Sequence, residues 1–312
     1  MARTTKKPAL SKEVATIKGG PAALYDYGEV AGVGAKDITS EDFLLPFVRV
    51  AQTNSPQLNK KDDRYLAGLA AGQYFNISTG RIYGGAEDDE DPFIAHVCAK
   101  LRAFAEFIPR DSGGGFVGQR EADDELVMQL RARQGKFGKL VNENEGTEIT
   151  ETYYLYSLVP PDDEYPDPEA IVLAFSSTGI TPVKQFLMRV NPLIRRGVPI
   201  YAPRVQISSR TRTNSEGTFF VPDLAFAGAD PLQYLLRPND PLMPVCQELR
   251  ESVTTGRAKV DFAQAHETGD EEDEPEVQRP APKRGRGKGS VEFTQPTEAS
   301  RGRRVKGNAP AF

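Results

Sequence analysis

Phe93-Ile-Ala-His-Val-Cys-Ala-Lys-Leu-Arg-Ala-Phe-Ala-Glu-Phe-Ile108 is the longest stretch of this chain in which apolar residues recur at every second position. Every odd-numbered residue from Phe93 to Phe107 is apolar, whereas Lys100, Arg102 and Phe104 lie at even-numbered positions. A period of two is that of a β-strand with one face in the core. The stretch therefore predicts a long, half-buried strand whose second face carries cations and an aromatic ring.

Shorter segments on both sides of this stretch predict further strands and several helices. Strand-like composition or alternation occurs at Phe47–Gln52, at Gln73–Tyr83 as a hairpin turning near Gly80, at Thr147–Val159 and at Ile171–Phe175. Helical spacing of apolar residues occurs within Glu121–Arg133, after Thr181-Pro182 with Thr181 as the expected cap, and after Asp240-Pro241. These elements predict a mainly β chain with inserted helices, which is the α+β class.

The composition predicts one folded domain between two flexible ends. The chain has 312 residues, of which 38% are hydrophobic, and its two ends are the most polar parts. We expect residues 1–38 to form a flexible N-terminal arm, residues 39–256 to form the folded domain, and residues 257–312 to form a disordered tail. Within the tail, the acidic run Asp270–Glu276 precedes the arginine- and glycine-rich run Lys283–Gly289.

A second alternating stretch, Tyr201–Thr213, carries most of the functional signal. Its period of two places Arg204, Gln206, Ser208, Arg210 and Arg212 on one face of a strand, which we call the arginine ladder. Asn214–Gly217 predicts the turn into a returning strand that starts at Thr218. The whole chain has a formal net charge of −5, so a one-sided row of arginines predicts a polyanionic partner.

Cations and aromatic rings on neighbouring strands are the combination that binds single-stranded nucleic acids. A positive groove follows the phosphates, and aromatic faces stack on the bases. The predicted binding residues are Lys100, Arg102, Phe104, Tyr154, Tyr156, Arg204, Arg210, Arg212 and Phe219. We expect the arginine ladder to form one wall of a groove and the strand that carries Lys100 to form the other. The alternative for the ladder is a solvated edge strand whose charges discourage aggregation.

Residues for catalysis or metal binding are sparse in this sequence. Two cysteines, Cys98 and Cys246, and two histidines, His96 and His266, match neither a disulfide framework nor a zinc-site spacing. The acidic run Glu87–Asp91 predicts a solvated loop, because consecutive carboxylates point apart. We therefore expect a protein that is not an enzyme and that uses no cofactor and no metal.

Targeting signals are not evident either. The first residues, Met1-Ala-Arg-Thr-Thr-Lys-Lys-Pro8, lack the apolar run of a signal peptide. No apolar stretch reaches the length needed to cross a bilayer. We expect a cytoplasmic protein without a membrane partner.

Four segments resemble a class of bacteriophage proteins associated with single-stranded DNA binding in replication and recombination. These are Ala170–Gly179 with the helix that follows, the Arg204–Phe220 hairpin, and the opening segments Phe47–Gln52 and Gly72–Gly80. The resemblance covers about Phe43 to Phe226, and it implies an antiparallel barrel of the oligonucleotide-binding (OB) type. It also implies that Asp270–Glu276 recruits replication or recombination proteins, and that the protein acts in the cytoplasm of the host.

The function expected from the sequence is therefore sequence-nonspecific binding of single-stranded DNA by a phage protein. One alternative is a virion or assembly protein whose basic face meets an acidic protein partner. A second alternative is a DNA nuclease or annealing enzyme whose carboxylates converge only in three dimensions. A flat sheet without a groove would favour the first alternative, and three acidic side chains in one pocket would favour the second.

Overall fold

The computed structural model describes residues 44–262, except for residues 88, 90–91, 135–138, 214–216 and 229. All described residues belong to one compact unit of the chain. The expected N-terminal arm and the acidic run Asp270–Glu276 lie outside the described residues. Within the described part, no helix has the length and apolar character required to span a membrane.

Strands are the most abundant secondary structure of the described part. They are β1 (Leu44–Leu45), β2 (Phe47–Val50), β3 (Tyr74–Asn76), β4 (Ile82–Gly84), β5 (Phe93–Phe107), β6 (Phe116–Arg120), β7 (Leu140–Asn142), β8 (Thr147–Val159), β9 (Glu169–Ser176), β10 (Val205–Thr213), β11 (Thr218–Phe226) and β12 (Lys259–Val260). Ten of them form one sheet in the order β11-β10-β5-β8-β9-β2-β3-β4, with β6 beside β5 and β7 beside β8. β2 and β9 run parallel, and the other pairs in this sheet are antiparallel.

The sheet curls into a half-barrel, and three α-helices accompany it in the described part. They are α1 (Glu125–Gln134), α2 (Ile180–Ile194) and α3 (Leu242–Thr254). This architecture confirms the predicted mainly β, α+β class and is consistent with a fold of the OB type. The strand Phe93–Ile108, the hairpin at Gly80 and all three helices occur close to where the sequence predicts them.

The helices cover opposite faces of the sheet. On one face, Val183, Phe186 and Val190 of α2 pack in a core with Leu155 of β8 and Val205 of β10. On the other face, Cys246 and Leu249 of α3 pack with Leu158 of β8. We call these the α2 face and the α3 face. Helix α1 also lies on the α2 face, where its Val127 and Leu130 contact Phe104.

Helix α2 differs from its prediction at both ends. Gly179 is its N-cap position, so Thr181 lies in the first turn and makes no capping hydrogen bond. The helix also continues through Pro192 to Ile194. A proline lacks the N–H that would reach the carbonyl of Met188, so this turn has one backbone hydrogen bond fewer than a regular helix. The predicted buried stripe holds, with Leu187 only partly buried beside it.

A β-bulge at Cys98 changes the face on which the second half of β5 presents its residues. Val97 and Ala99 pair with consecutive residues of β8, so Cys98 between them is an extra residue. After the bulge, Lys100 and Arg102 therefore share the α2 face with Val97. The prediction that all odd-numbered apolar residues of this strand share one face is wrong, because one inserted residue reverses the alternation.

The packed structure continues beyond Gly256, where the sequence places the end of the domain. Strand β12 pairs with β1, and Phe262 packs edge-on against Phe47 at 5.9 Å and Tyr154 at 5.1 Å between ring centroids. The residues after α3 thus close the α3 face over the middle of β8.

Candidate nucleic-acid interface

Three of the predicted stacking residues lie in the core. The exposed fractions of Phe104, Tyr154 and Tyr156 are 2%, 0% and 4%. Phe104 packs under α1, and the two tyrosines pack under α3 and Phe262 on the opposite face. Burial raises the pKa of Tyr156 to about 12. The prediction that these rings stack on bases is corrected, because protein side chains already cover them.

The two predicted cations of β5 lie on the α2 face, and they differ in their surroundings. Lys100 is exposed, and its Nζ lies 5.5 Å from the ring centroid of Tyr153. Arg102 is half-buried, and its Nε donates to a carboxylate oxygen of Glu151 at 2.6 Å. Lys100 therefore offers its charge to solvent, whereas a neighbouring carboxylate offsets most of the charge of Arg102.

Lys100 opens onto a cleft of about 550 Å³ between α2, β5 and α3. Its lining residues are Lys100, Lys184, Leu187, Met188, Asn191, Ile194, Ile200 and Arg250. We call this surface the basic cleft. Lys100, Lys184 and Arg250 are all exposed, and none of the lining residues carries a negative charge. The cleft thus combines three cations with an apolar wall.

Helix α2 supplies one side of the basic cleft through a single stripe. Lys184, Leu187, Met188 and Asn191 follow the i, i+3, i+4, i+7 spacing that places residues on one side of a helix. Met188 is 74% exposed and Ile194 is 42% exposed, which is unusual for large apolar side chains. The apolar part of the cleft is therefore open to a ligand.

A gap in the sheet places Arg250 at the other side of the cleft. Along one edge, β5 pairs with β10 at Phe93–Ala95 and with β6 at Phe104–Phe107, and no strand of the described part lies between. There the guanidinium of Arg250, on α3, donates to the carbonyl oxygen of Cys98 at 3.3 Å. The bulge residue thus links α3 to the edge of β5, next to Lys100.

Cations also lie near the aromatic rings of Tyr153 and Phe104, on the part of the sheet between α1 and α2. Lys184 Nζ lies 5.5 Å from the centroid of the Tyr153 ring, and Arg131 of α1 lies 5.4 Å from that of Phe104. Both distances are within the range of cation–π attraction. Burial and the nearby Glu151 raise the pKa of Tyr153, so its hydroxyl remains neutral at physiological pH. The positive potential of the cleft therefore extends towards α1.

The arginine ladder lies on the hairpin of β10 and β11, and its alternation matches the prediction. Val205 and Ile207 are buried on the α2 face, so Arg204, Arg210 and Arg212 project from the α3 face, where all three are exposed. Phe219, which is half-buried, lies directly opposite Arg212 in the register of the hairpin. The structure thus brings together a predicted cation and a predicted aromatic ring. The predicted turn residues 214–216 lie outside the described part.

The carboxylate of Asp223 faces the ladder. Arg210 Nη2 donates to Asp223 of β11 at 2.6 Å. The position of Asp223 opposite Ser208 in the register places it on the face of the ladder. The ladder is therefore less positive than the sequence indicates.

The two predicted walls do not form one groove. Lys100 and Arg102 lie on the α2 face, whereas Arg204, Arg210 and Arg212 lie on the α3 face of the same sheet. Ladder residues alternate with Val205 and Ile207, which pair with Ala95 and Phe93 of β5. The expected groove with two facing walls is corrected to two basic surfaces that point in opposite directions.

Three cations in or near the basic cleft were not predicted as binding residues from the sequence. Lys184 had a local signal, because it shares a helical stripe with Met188, but its charge was not linked to Lys100. Arg131 and Arg250 had none, since only the packing of α1 and α3 brings them towards β5.

Metal-binding clusters are not found in the part of the chain that the structure describes. There, no three side chains of His, Cys, Asp or Glu lie together in a way that could hold a metal ion. His96 is buried in the core, where its Nδ1 lies 3.0 Å from the carbonyl oxygen of Tyr201. Its burial and this contact give His96 a structural role in the core.

Comparison with known proteins places the chain in a family. Neither a curated protein nor a solved structure matches this chain. A family model described as Pam3 phage gp34-like protein matches residues 12–259, well over half of the sequence and including every described strand except the last residue of β12. The chain therefore belongs to the Pam3 phage gp34-like protein family.

Proposed function

We propose that this phage-family protein binds single-stranded DNA through the basic cleft, without sequence preference and without catalysis. The observation that carries the proposal is the convergence of Lys100, Lys184 and Arg250 from three separate elements on one cleft that no carboxylate lines. Because the whole chain has a net charge of −5, this surface is positive only through a local excess of cations. Phosphate groups of a nucleic acid fit this charge.

The apolar wall of the cleft supports a preference for single strands. Met188 and Ile194 expose large apolar surfaces beside the three cations. A single strand can place the face of an unstacked base against such side chains, whereas a duplex keeps its bases stacked inside. The proposal therefore includes weaker binding of duplex DNA at the same salt concentration.

The proposed biological setting is phage DNA replication or recombination, in the cytoplasm of the host. The acidic run Asp270–Glu276 is proposed to recruit replication or recombination proteins. A variant with neutral residues in this run is expected to bind single strands as the wild type does but to lose the recruited protein in a pull-down from infected cells. Unchanged recovery of that protein would remove the acidic run from the proposal.

A fluorescence titration with single-stranded and duplex oligonucleotides over a salt series tests the proposed function. We expect submicromolar binding of the single strand at low salt, with log K falling linearly against log salt concentration. Counterion release from three phosphate contacts corresponds to a slope of about −2 for a single strand. No binding at low salt would contradict the proposal, and preferential binding of an acidic protein would favour the assembly alternative.

Charge reversal on α2 assigns the binding to the cleft. Lys184→Glu is expected to weaken single-strand binding by about tenfold or more and to flatten the salt slope by about one, because it removes a phosphate contact and introduces repulsion. Arg189→Glu is the matched control. Arg189 is an exposed cation of the same helix, but it does not line the cleft. Equal losses for the two variants would mean that general charge, and not the cleft, determines binding.

A further inference from the structure

We propose that the hairpin of β10 and β11 holds a second single strand, so that one molecule of this protein bridges two strands. This inference rests on the proposed function of the basic cleft, because the cleft holds the first strand. It concerns a surface on the other face of the sheet, the part of the hairpin that carries Arg210, Arg212 and Phe219.

The register of the sheet separates the two surfaces. Ile207 of β10 pairs with Phe93 of β5, and Arg210 lies three residues beyond Ile207 in the direction away from Lys100. Lys100 lies seven residues after Phe93 on the antiparallel neighbour. At about 3.3 Å per residue, the two cations are roughly 30 Å apart along the sheet. They also project from opposite faces.

The hairpin carries its own set of groups for a single strand. Arg210 and Arg212 are exposed, and Asp223 pairs with Arg210. The backbone N–H of Thr211, which lies between the two arginines, donates to a carboxylate oxygen of Glu87 at 3.1 Å. Arg212 and Phe219 lie side by side in the register, so a phosphate contact and a stacking surface are adjacent.

A short strand in the cleft cannot reach Arg210, Arg212 and Phe219. It would have to pass around the sheet and then follow it for roughly 30 Å. The bound length of one fold of the OB type is about 4–16 nucleotides, so an oligonucleotide near the lower limit fills one surface only. Two such oligonucleotides can therefore bind at once.

Simultaneous binding gives the protein a second activity. Two strands held by one molecule are at a high effective concentration relative to each other, which accelerates their encounter. If they are complementary, the protein promotes their pairing without any catalytic group. This activity is the annealing of complementary single strands.

Co-capture of two oligonucleotides tests the inference. One oligothymidylate of about four nucleotides is immobilised on beads, a second of the same length carries a fluorophore, and full-length protein is added below the concentration of either. Two thymidylate strands cannot pair, so fluorescence on the beads reports bridging by protein. The wild type is expected to retain the labelled strand. The Arg210→Glu/Arg212→Glu variant is expected to bind the beads but to retain about tenfold less fluorescence.

The outcomes separate this inference from the proposed function. Failure of the wild type to bind the immobilised strand overturns both. Binding of that strand without co-capture overturns the second site alone. Co-capture that is unchanged in the hairpin variant also overturns it, because two copies joined to each other would then bridge through their clefts. Arg212→Gln, which leaves the Arg210–Asp223 ion pair in place, repeats the test, and circular dichroism checks that each variant is folded.

Discussion

At the scale of single residues, Phe104 and Phe219 place the same side chain in two different surroundings. Phe104 is buried between β5 and α1, where it contacts Val127 and Leu130. Phe219 is half-buried on the hairpin. A buried ring stabilises the fold because its apolar surface is removed from water and because it fills a space that would otherwise be a cavity. A ring at the surface stabilises the fold less in both ways.

Alanine at these two positions is therefore expected to have different effects on stability. Phe104→Ala should lower the free energy of unfolding by about 3–5 kcal/mol, because it leaves a cavity under α1. Phe219→Ala should lower it by about 1 kcal/mol or less, as for most surface substitutions. Urea unfolding followed by circular dichroism measures both. Similar losses in the two variants would mean that Phe219 is a core residue and not a surface for stacking.

At the scale of elements, contacts with the loop between β2 and β3 hold the β10–β11 hairpin in place. The side-chain amide of Gln52 donates to the carbonyl of Phe220 at 3.0 Å, and its oxygen accepts from the N–H of Phe220 at 2.8 Å. Ser209 Oγ donates to the carbonyl of Gly72 at 2.6 Å. These bonds connect distant parts of the sequence and fix the direction of the arginine ladder.

Gly72 is the position at which this attachment depends on the absence of a side chain. Its φ is +89°, and a Cβ there would lie 2.8 Å from the ring of Phe220. Gly72→Ala is expected to lower the free energy of unfolding by about 1–3 kcal/mol, through backbone strain and displacement of the ring. Urea unfolding measures this loss.

Gly197→Ala is the matched control for Gly72→Ala. Gly197 has a similar φ of +85°, but a Cβ there would meet nothing within 4 Å. Its substitution should therefore cost only the backbone term, about 1 kcal/mol. If the loss at Gly72 does not exceed the loss at Gly197, the packing of Phe220 against the loop is not what holds the hairpin.

Elements were predictable from the sequence, whereas the directions of their side chains were only partly so. The alternation of β10 and the helical stripe of α2 depend on local geometry alone, and both occur as predicted. The bulge at Cys98 has no local signal, and it moves Lys100 and Arg102 to the opposite face. Arg250 joins the cleft only through the packing of α3. Long-range contacts thus decided the site, although local patterns predicted its elements.

At the scale of the whole molecule, charge is unevenly distributed. The chain carries 44 acidic and 39 basic side chains, yet the charged residues that line the basic cleft are all cations. An acidic body repels a polyanion everywhere except at such surfaces, so the field orients an approaching strand towards them. Screening by salt weakens both the repulsion and the attraction, which is why the proposed binding is expected to depend steeply on ionic strength.

The free energy of unfolding depends on pH through buried titratable groups. Burial holds the pKa of His96 below its ordinary value. For Glu106, burial raises the pKa, but hydrogen bonds from Thr147 and Arg120 outweigh this and hold it below its ordinary value of 4.5. Among the described residues with a shifted pKa, His96 is the one whose ordinary pKa lies between pH 7 and pH 5.

The sign of the His96 effect follows from proton binding by the two states. In the unfolded chain this imidazole takes up a proton near pH 6.5, whereas in the folded protein it stays neutral to lower pH. Stability is thus fully present above pH 6.5 and falls as the pH decreases towards the folded pKa, by at most about 1.4 kcal/mol per pH unit. His96→Asn can retain a donor to the Tyr201 carbonyl but cannot titrate, so its unfolding free energy is expected to change less over this range. Urea unfolding of both proteins at pH 7, 6 and 5 measures the difference, and parallel curves would mean that His96 is protonated in the folded state as readily as in the unfolded chain.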